Sequence, residues 1–251
     1  MKIEYAVICE KGINRAKNQD SYFVPSEQNN PQEKGWLYAV ADGVGGYPAG
    51  DVASRDCCKM LSRDYYSCAE IESIPHWLND EIIKINKAVV LKGETNDDMS
   101  NMATTLVSLL IKDDMAYLNN VGDSRIYKFM NDQLSQITED HSVVWEFYVR
   151  NIITKDEIID SYNKNLITEA IGLNRYPRIN SYFMALPADF IFLLCSDGLC
   201  DVTTDVQMEK IIRQNGNDLQ KCCEKLYRAA LENGTRDDVT ILLVKSKPES
   251  E

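Results

Sequence analysis

Residues 36–50, WLYAVADGVGGYPAG, set the reading of this chain. Residues 36–41 are aromatic and aliphatic and read as a strand. The strand stops at Asp42-Gly43, and after a glycine-rich segment a helix-like run follows over 51–67. Asp-Gly is first of all a hairpin-turn signal, but a hairpin needs a second strand directly after it, and none follows here. The same arrangement recurs at FIFLLCSDG, where a strand over 190–195 ends in Asp197-Gly198 and again leads into a helix-like stretch. The glycines of 43–50 do not fall in the G-x-G-x-x-G spacing, and no Lys-Ser/Thr follows Gly50, so a nucleotide cradle is not indicated. They either form a turn or let backbone come close to an ion or phosphate.

Working outward, further strand-like runs occur at 4–9, 21–24, 104–111, 116–120, 125–130, 133–138, 179–184 and 239–244, bounded by Gly, Pro, Asn and Asp. Short turns at 112–114 and 122–124 join consecutive strands, which must then run antiparallel. Helices are expected in two pairs, 51–67 with 75–91 and 204–215 with 218–232. Leu78, Ile82, Ile85 and Val89 recur at helical spacing, and Pro75 suits a first turn. Two sets of strands and two helix pairs predict an α+β fold in which two packed antiparallel sheets are flanked by helices. A polar, helix-leaning insert over 142–176 interrupts the strands and reads as a flap on a single domain of residues 1–245; residues 246–251 read as a disordered tail.

The chain has 251 residues, with 27 Lys and Arg against 39 Asp and Glu, giving a net charge of −12. Nucleic-acid binding depends on a basic surplus that is absent here, and anionic membranes are poor partners for the same reason. No apolar run approaches the ~20 residues of a membrane-spanning helix. Glu4 interrupts what would be the apolar core of a secretion signal, so a cytoplasmic protein is expected. The eight cysteines include the adjacent pairs Cys57-Cys58 and Cys222-Cys223, contain no C-x-x-C, and are accompanied by only two histidines. Reduced, buried thiols are the plainer reading than zinc or disulfides.

The placement of the acids is more informative than their number. Asp42 and Asp197 end strands, whereas Asp20 and the pair Asp237-Asp238 precede them. In an antiparallel sheet the end of one strand lies beside the start of its neighbour, so positions far apart in sequence can gather at one edge, with Asp123 joining from a turn. Each Asp taken alone reads more simply as a turn or cap residue. Gathered together, carboxylates cannot all stay ionised without a counter-charge. An oxygen-only set with no His or Cys suits Mg²⁺ or Mn²⁺, and a pair of such ions activates water for phosphoryl displacement. Six carboxylates (Asp20, Asp42, Asp123, Asp197, Asp237 and Asp238) would then account for half of the −12.

The ordered series Arg15-x-x-Asn18-Gln19-Asp20, Val40-Ala41-Asp42-Gly43-Val44-Gly45-Gly46, Ala103-Thr104-Thr105, Gly122-Asp123-Ser124-Arg125, Asp140-His141-Ser142, Ser196-Asp197-Gly198-Leu199 and Arg236-Asp237-Asp238-Val239-Thr240 resembles the metal-dependent protein phosphatases, the type 2C Ser/Thr phosphatases, in their compact bacterial form. The resemblance spans residues 15–240. It implies a four-layer α-β-β-α sandwich and a binuclear Mn²⁺/Mg²⁺ centre. Asp42 would bridge the ions with the Gly43 carbonyl contributing, Asp197 and Asp237 would complete the second ion's shell, and Asp20 would hold metal-bound water. Asp123 and Asp197 would hold a third, weaker ion. Arg15 would grip the substrate phosphate, a task its planar fork suits. The 142–176 insert would be the family's flap, which influences substrate choice.

Some positions depart from the pattern. Many members carry His after the bridging Asp-Gly as a proposed general acid; here it is Val44, so the leaving oxygen must be protonated from elsewhere, a metal-bound water being one source. The closing motif commonly reads Asp-Asn, and here it is Asp237-Asp238, an extra carboxylate that could tune metal affinity. Ala103 replaces the usual Gly. His141 either contacts the flap or phosphate, or simply caps the following helix. The expected activity is hydrolysis of phosphoserine and phosphothreonine by direct attack of a metal-activated water. Phosphoproteins are the expected partners, with a Ser/Thr kinase acting on the same substrates, and a monomer is expected. Two alternatives are a catalytically inactive module that binds a phosphoprotein through the flap, and a specialised phosphatase for an anti-sigma-type regulator.

Overall fold

The computed structural model describes residues 2–247 apart from 46–48, 160, 162, 165 and 188. The chain runs β1 (Lys2–Glu10), β2 (Asp20–Phe23), α1 (Pro31–Lys34), β3 (Trp36–Asp42), α2 (Gly50–Ser67), α3 (Ile74–Thr95), β4 (Leu106–Lys112), β5 (Met115–Val121), β6 (Arg125–Met130) and β7 (Gln133–Gln136). It continues through α4 (Val143–Val149), α5 (Lys155–Ile159), β8 (Asn180–Ala185), β9 (Ile191–Cys195), α6 (Asp197–Cys200), α7 (Asp205–Asn215), α8 (Leu219–Glu232) and β10 (Val239–Lys247). One sheet has the order β1-β10-β9-β6-β7 and the other β2-β3-β4-β5-β8. Every pairing is antiparallel.

The strand sequences are apolar almost throughout because the central strands are buried on both faces. In β3, Leu37, Ala39 and Ala41 pack against α2 and α3, while Tyr38 and Val40 enter the layer between the sheets. In β9, Phe192 and Leu194 point between the sheets, and Leu193 and Cys195 turn outward to α7 and α8. The period of two thus assigns each residue to a layer, and the expected α-β-β-α sandwich results. The helix starts are specified locally. Thr204 accepts from Gln207 N at 3.3 Å while the Gln207 side chain accepts from Thr204 N at 3.1 Å, and Asp218 accepts from Lys221 N.

Three expectations shift. Helix α3 runs on to Thr95 although Leu91 is already exposed, because backbone bonding continues after the apolar face has ended. Thr104 and Thr105 precede β4 proper, and Thr104 bridges both Gly43 and Ile171. Strand β10 extends through Lys247, so Ser246 and Lys247 belong to the sheet, paired with Ile3 and Lys2, rather than to a tail. Residues 248–251 of the expected tail lie outside the described residues.

All eight cysteines are free thiols. Burial pushes the Cys57 and Cys222 thiols up to about 12, so they serve as small hydrophobes. Among the described residues no helix is long and apolar enough to cross a membrane. The insert is closed on itself by Val143 N, which donates to Leu166 O at 2.9 Å, and is joined to the residue before it by Thr168 N, which donates to His141 O at 2.7 Å. Lys155 reaches Asp205 at 2.7 Å and ties the insert to α7.

Candidate active site

Asp42 is the last residue of β3 and stands directly opposite Asp20, the first of β2. Its backbone is fixed on both sides: Asp42 N donates to Thr105 Oγ1 at 2.9 Å, and Asp42 O accepts from Thr105 N and Thr104 Oγ1 at 2.8 Å. Gly43 N donates to Gln19 O, and a Cβ at Gly43 would lie 2.4 Å from the Gly50 backbone, so only glycine lets the start of α2 come this close.

The second sheet delivers its acids to the same place. Asp197 follows β9 and opens α6, Asp237 lies just before β10, and Asp123 sits in the β5–β6 turn. Asp20 bridges the sheets, its Oδ2 accepting from Ser196 Oγ and Thr240 Oγ1 at 2.7 Å each. Arg15 donates to both oxygens of Asp237 at 2.6 Å.

Arg15, Asp42, Asp123, Asp197 and Asp237 line one cavity of about 250 Å³, completed by Val44, Gly45, Thr105 and Ile167. Asp20 lies behind Asp42 rather than on the wall, and Gly43 is buried beside it. Burial raises the Asp42 carboxyl well above its ordinary range, and Asp20, Asp197 and Asp123 push it further. Burial, with Asp201 and Asp123 next in effect, does the same to Asp197. Asp123 is pushed up to about 7, by burial and then by Asp201 and Asp140. Among the described residues, no three His, Cys, Asp or Glu side chains form a closed metal-ligand group. The acids surround a shared cavity, and one of them is held by Arg15.

The donor set nevertheless suits a hard divalent cation. It is all oxygen, and the buried Oδ1 atoms of Asp20 and Asp197 have no hydrogen-bond partner. Such atoms are costly unless something positive meets them.

Two residues depart from their expected roles. Asp238 lies off the cavity wall, its Oδ1 accepting from Gly12 N at 2.8 Å and its Oδ2 from Gln19 N at 2.7 Å, although its charge still acts on Asp20 and Arg15. His141 is absent from the cavity wall. Its Nδ1 accepts from Gly122 N at 3.2 Å, while the cap of α4 is Ser142, which accepts from Trp145 N. Burial lowers the His141 pKa to about 4, so the ring is neutral, as a ring accepting at Nδ1 must be. Asp201 was not singled out in the sequence. It lies one helical turn beyond Asp197, and burial and its acidic neighbours raise its carboxyl, with Arg125 and Lys164 opposing. The S-D-G-L-C-D spacing carried that signal, since i and i+4 share a helix face.

Comparison with known proteins follows the same outline. The family model for protein phosphatase 2C matches residues 13–234. The serine/threonine phosphatase stp of Listeria welshimeri is 33% identical over 239 residues, covering 94% of this chain and 93% of that protein. The crystal structure of serine/threonine phosphatase Stp1 from Staphylococcus aureus superposes with a TM-score of 0.91 at 29% identity, over 98% of this chain and 96% of that one. A structure of the catalytic domain of the phosphatase PstP in complex with two manganese ions gives a TM-score of 0.80 at 28% identity, over 97% of each chain. With motifs, sandwich and matches running nearly end to end, the chain belongs to the protein phosphatase 2C family of metal-dependent serine/threonine phosphatases.

Proposed function

We propose that the cavity is the phosphoryl-transfer site and that its carboxylates hold two Mn²⁺ or Mg²⁺ ions. Asp42, the Gly43 carbonyl, Asp197, Asp237 and Asp20 would hold them. Asp123 and Asp197 would hold a third, weaker ion. The observation that carries this reading is the shared cavity, lined by Arg15 and four carboxylates, one of which, Asp197, has a buried oxygen with no partner. The ions supply Lewis acidity that activates water and offsets charge on the phosphoryl oxygens. The chain's own residues do the rest. Arg15 offers a charged fork to the phosphate, Thr104 and Thr105 hold Asp42 in place, and Ile167 from the insert lines the cavity. Val44 has no proton to give the leaving oxygen, and His141 is committed to Gly122.

Phosphoserine and phosphothreonine proteins are the substrates this chemistry takes, with a Ser/Thr kinase acting opposite to it. A purely binding role has no support from the site, where the acids and Arg15 remain gathered. Hydrolysis of a phosphothreonine peptide should require Mn²⁺ or Mg²⁺, and Asp42→Ala should lower it by about a thousandfold or more. Turnover that survives both chelation and Asp42→Ala would overturn the assignment.

A further inference from the structure

The segment that carries Arg15 has little regular structure of its own. Residues 11–19 connect β1 to β2, and the main-chain bond within this connection runs from Arg15 N to Gly12 O at 3.1 Å. Yet Arg15 is aimed at the cavity. Asp237 holds its guanidinium directly, and a second carboxylate far away in sequence holds the main chain of the segment. Asp238 is 3% exposed, and its two oxygens each accept one backbone N–H, from Gly12 at one end of the segment and from Gln19 at the other. Gly12 makes the approach possible, since a Cβ there would lie 2.4 Å from Arg236 O.

We propose that Asp238 is a positioning residue that sets Arg15 over the cavity by pinning both ends of the segment 12–19 to the start of β10. It touches neither substrate nor the reacting atoms, and it acts through Arg15. The carboxylate is specific to this task. Two acceptors are needed for two inward-facing amides, whereas asparagine offers one acceptor and turns its NH₂ toward an N–H. The usual asparagine of the family is therefore not equivalent in this chain. The inference rests on the reading of Arg15 as the phosphate grip.

Amide hydrogen exchange on the wild-type, metal-loaded protein tests the clamp directly. Gly12 and Gln19 should exchange at least about tenfold more slowly than Ile13, Asn14 and Ala16. Exchange at the same rate as those neighbours would overturn the clamp. In kinetics with a phosphothreonine peptide, Asp238→Asn should raise KM about fivefold with kcat little changed, the loss of one charge-assisted bond. The same substitution in an Arg15→Ala background should leave KM unchanged, because the segment then has nothing to position. An equal rise in both backgrounds would make Asp238 merely structural. A rise for Arg15→Ala but not for Asp238→Asn would refute the clamp alone. An unchanged KM in Arg15→Ala would take down the phosphate-grip reading and the inference with it.

Discussion

Asp20 and Asp123 show how much a single carboxylate's surroundings decide. Asp20 is pushed up to about 6, first by burial and with the hydrogen bonds from Thr240 and Ser196 opposing; Asp123 reaches about 7. A carboxyl whose folded pKa lies above its unfolded value contributes stability below the unfolded value and loses it as pH rises through the folded one. With metal chelated, the melting temperature should therefore fall as pH rises from about 4 to about 7, and the fall should be smaller in Asp20→Asn. Calorimetry in chelator checks this, and a chelated protein that becomes more stable over that window would contradict it. The convergence of Asp20, Asp42, Asp123, Asp197 and Asp237 was legible in the sequence, because each sits at a strand end or in a tight turn. The work of Asp238 was not, since its partners at Gly12 and Gln19 lie more than two hundred residues away and are main-chain amides, whose role a side-chain motif does not reveal. Asp201 was passed over because one acid on a short helix looks like any other.

At the level of elements, the site is a junction between the ends of β3, β9 and β10 and the residues just before β4. Thr105 is the fastener. Its hydroxyl accepts from Asp42 N and meets Ser124 Oγ at 2.7 Å, joining the two strands to the turn that bears Asp123. Thr105→Val keeps the shape and leaves these groups without a partner, and it should cost about 1–3 kcal/mol of stability. Thr105→Ser should recover most of it; urea denaturation of the pair distinguishes the lost hydroxyl from a change in packing. The strands β3, β9 and β10 could be read from apolar content and their flanking turn residues, as could both helix pairs; which residue faces which layer could not, because these strands are apolar on both faces. The limits of α3 and β10 could not. Helix bonding outlasts the apolar face of α3, and pairing with β1 carries β10 past its last apolar residue.

For the whole molecule, the net charge of −12 divides differently from its simplest reading. Asp238 stands behind the cavity wall, bonded to two main-chain amides, and Asp201 joins the group of acids around the cavity. Concentrated in one place, such charge makes the fold respond to divalent ions. Mn²⁺ should raise the thermal midpoint of the wild type by several degrees, and Asp42→Asn should remove most of that rise. Equal rises in the two proteins, by differential scanning calorimetry, would mean the ions act on the surface at large. The pairing of β1 with β10 also bears on how the molecule comes to exist. Lys2–Glu10 waits for Val239–Lys247, and β10 then lies between β1 and β9 at the heart of its sheet. Closing so long a loop is slow and comes after local structure. Asp20 and Asp237 stand beside these two strands, so the proposed ion site is complete only where β1 and β10 are paired, and a chain lacking that pairing should show no gain in stability from Mn²⁺.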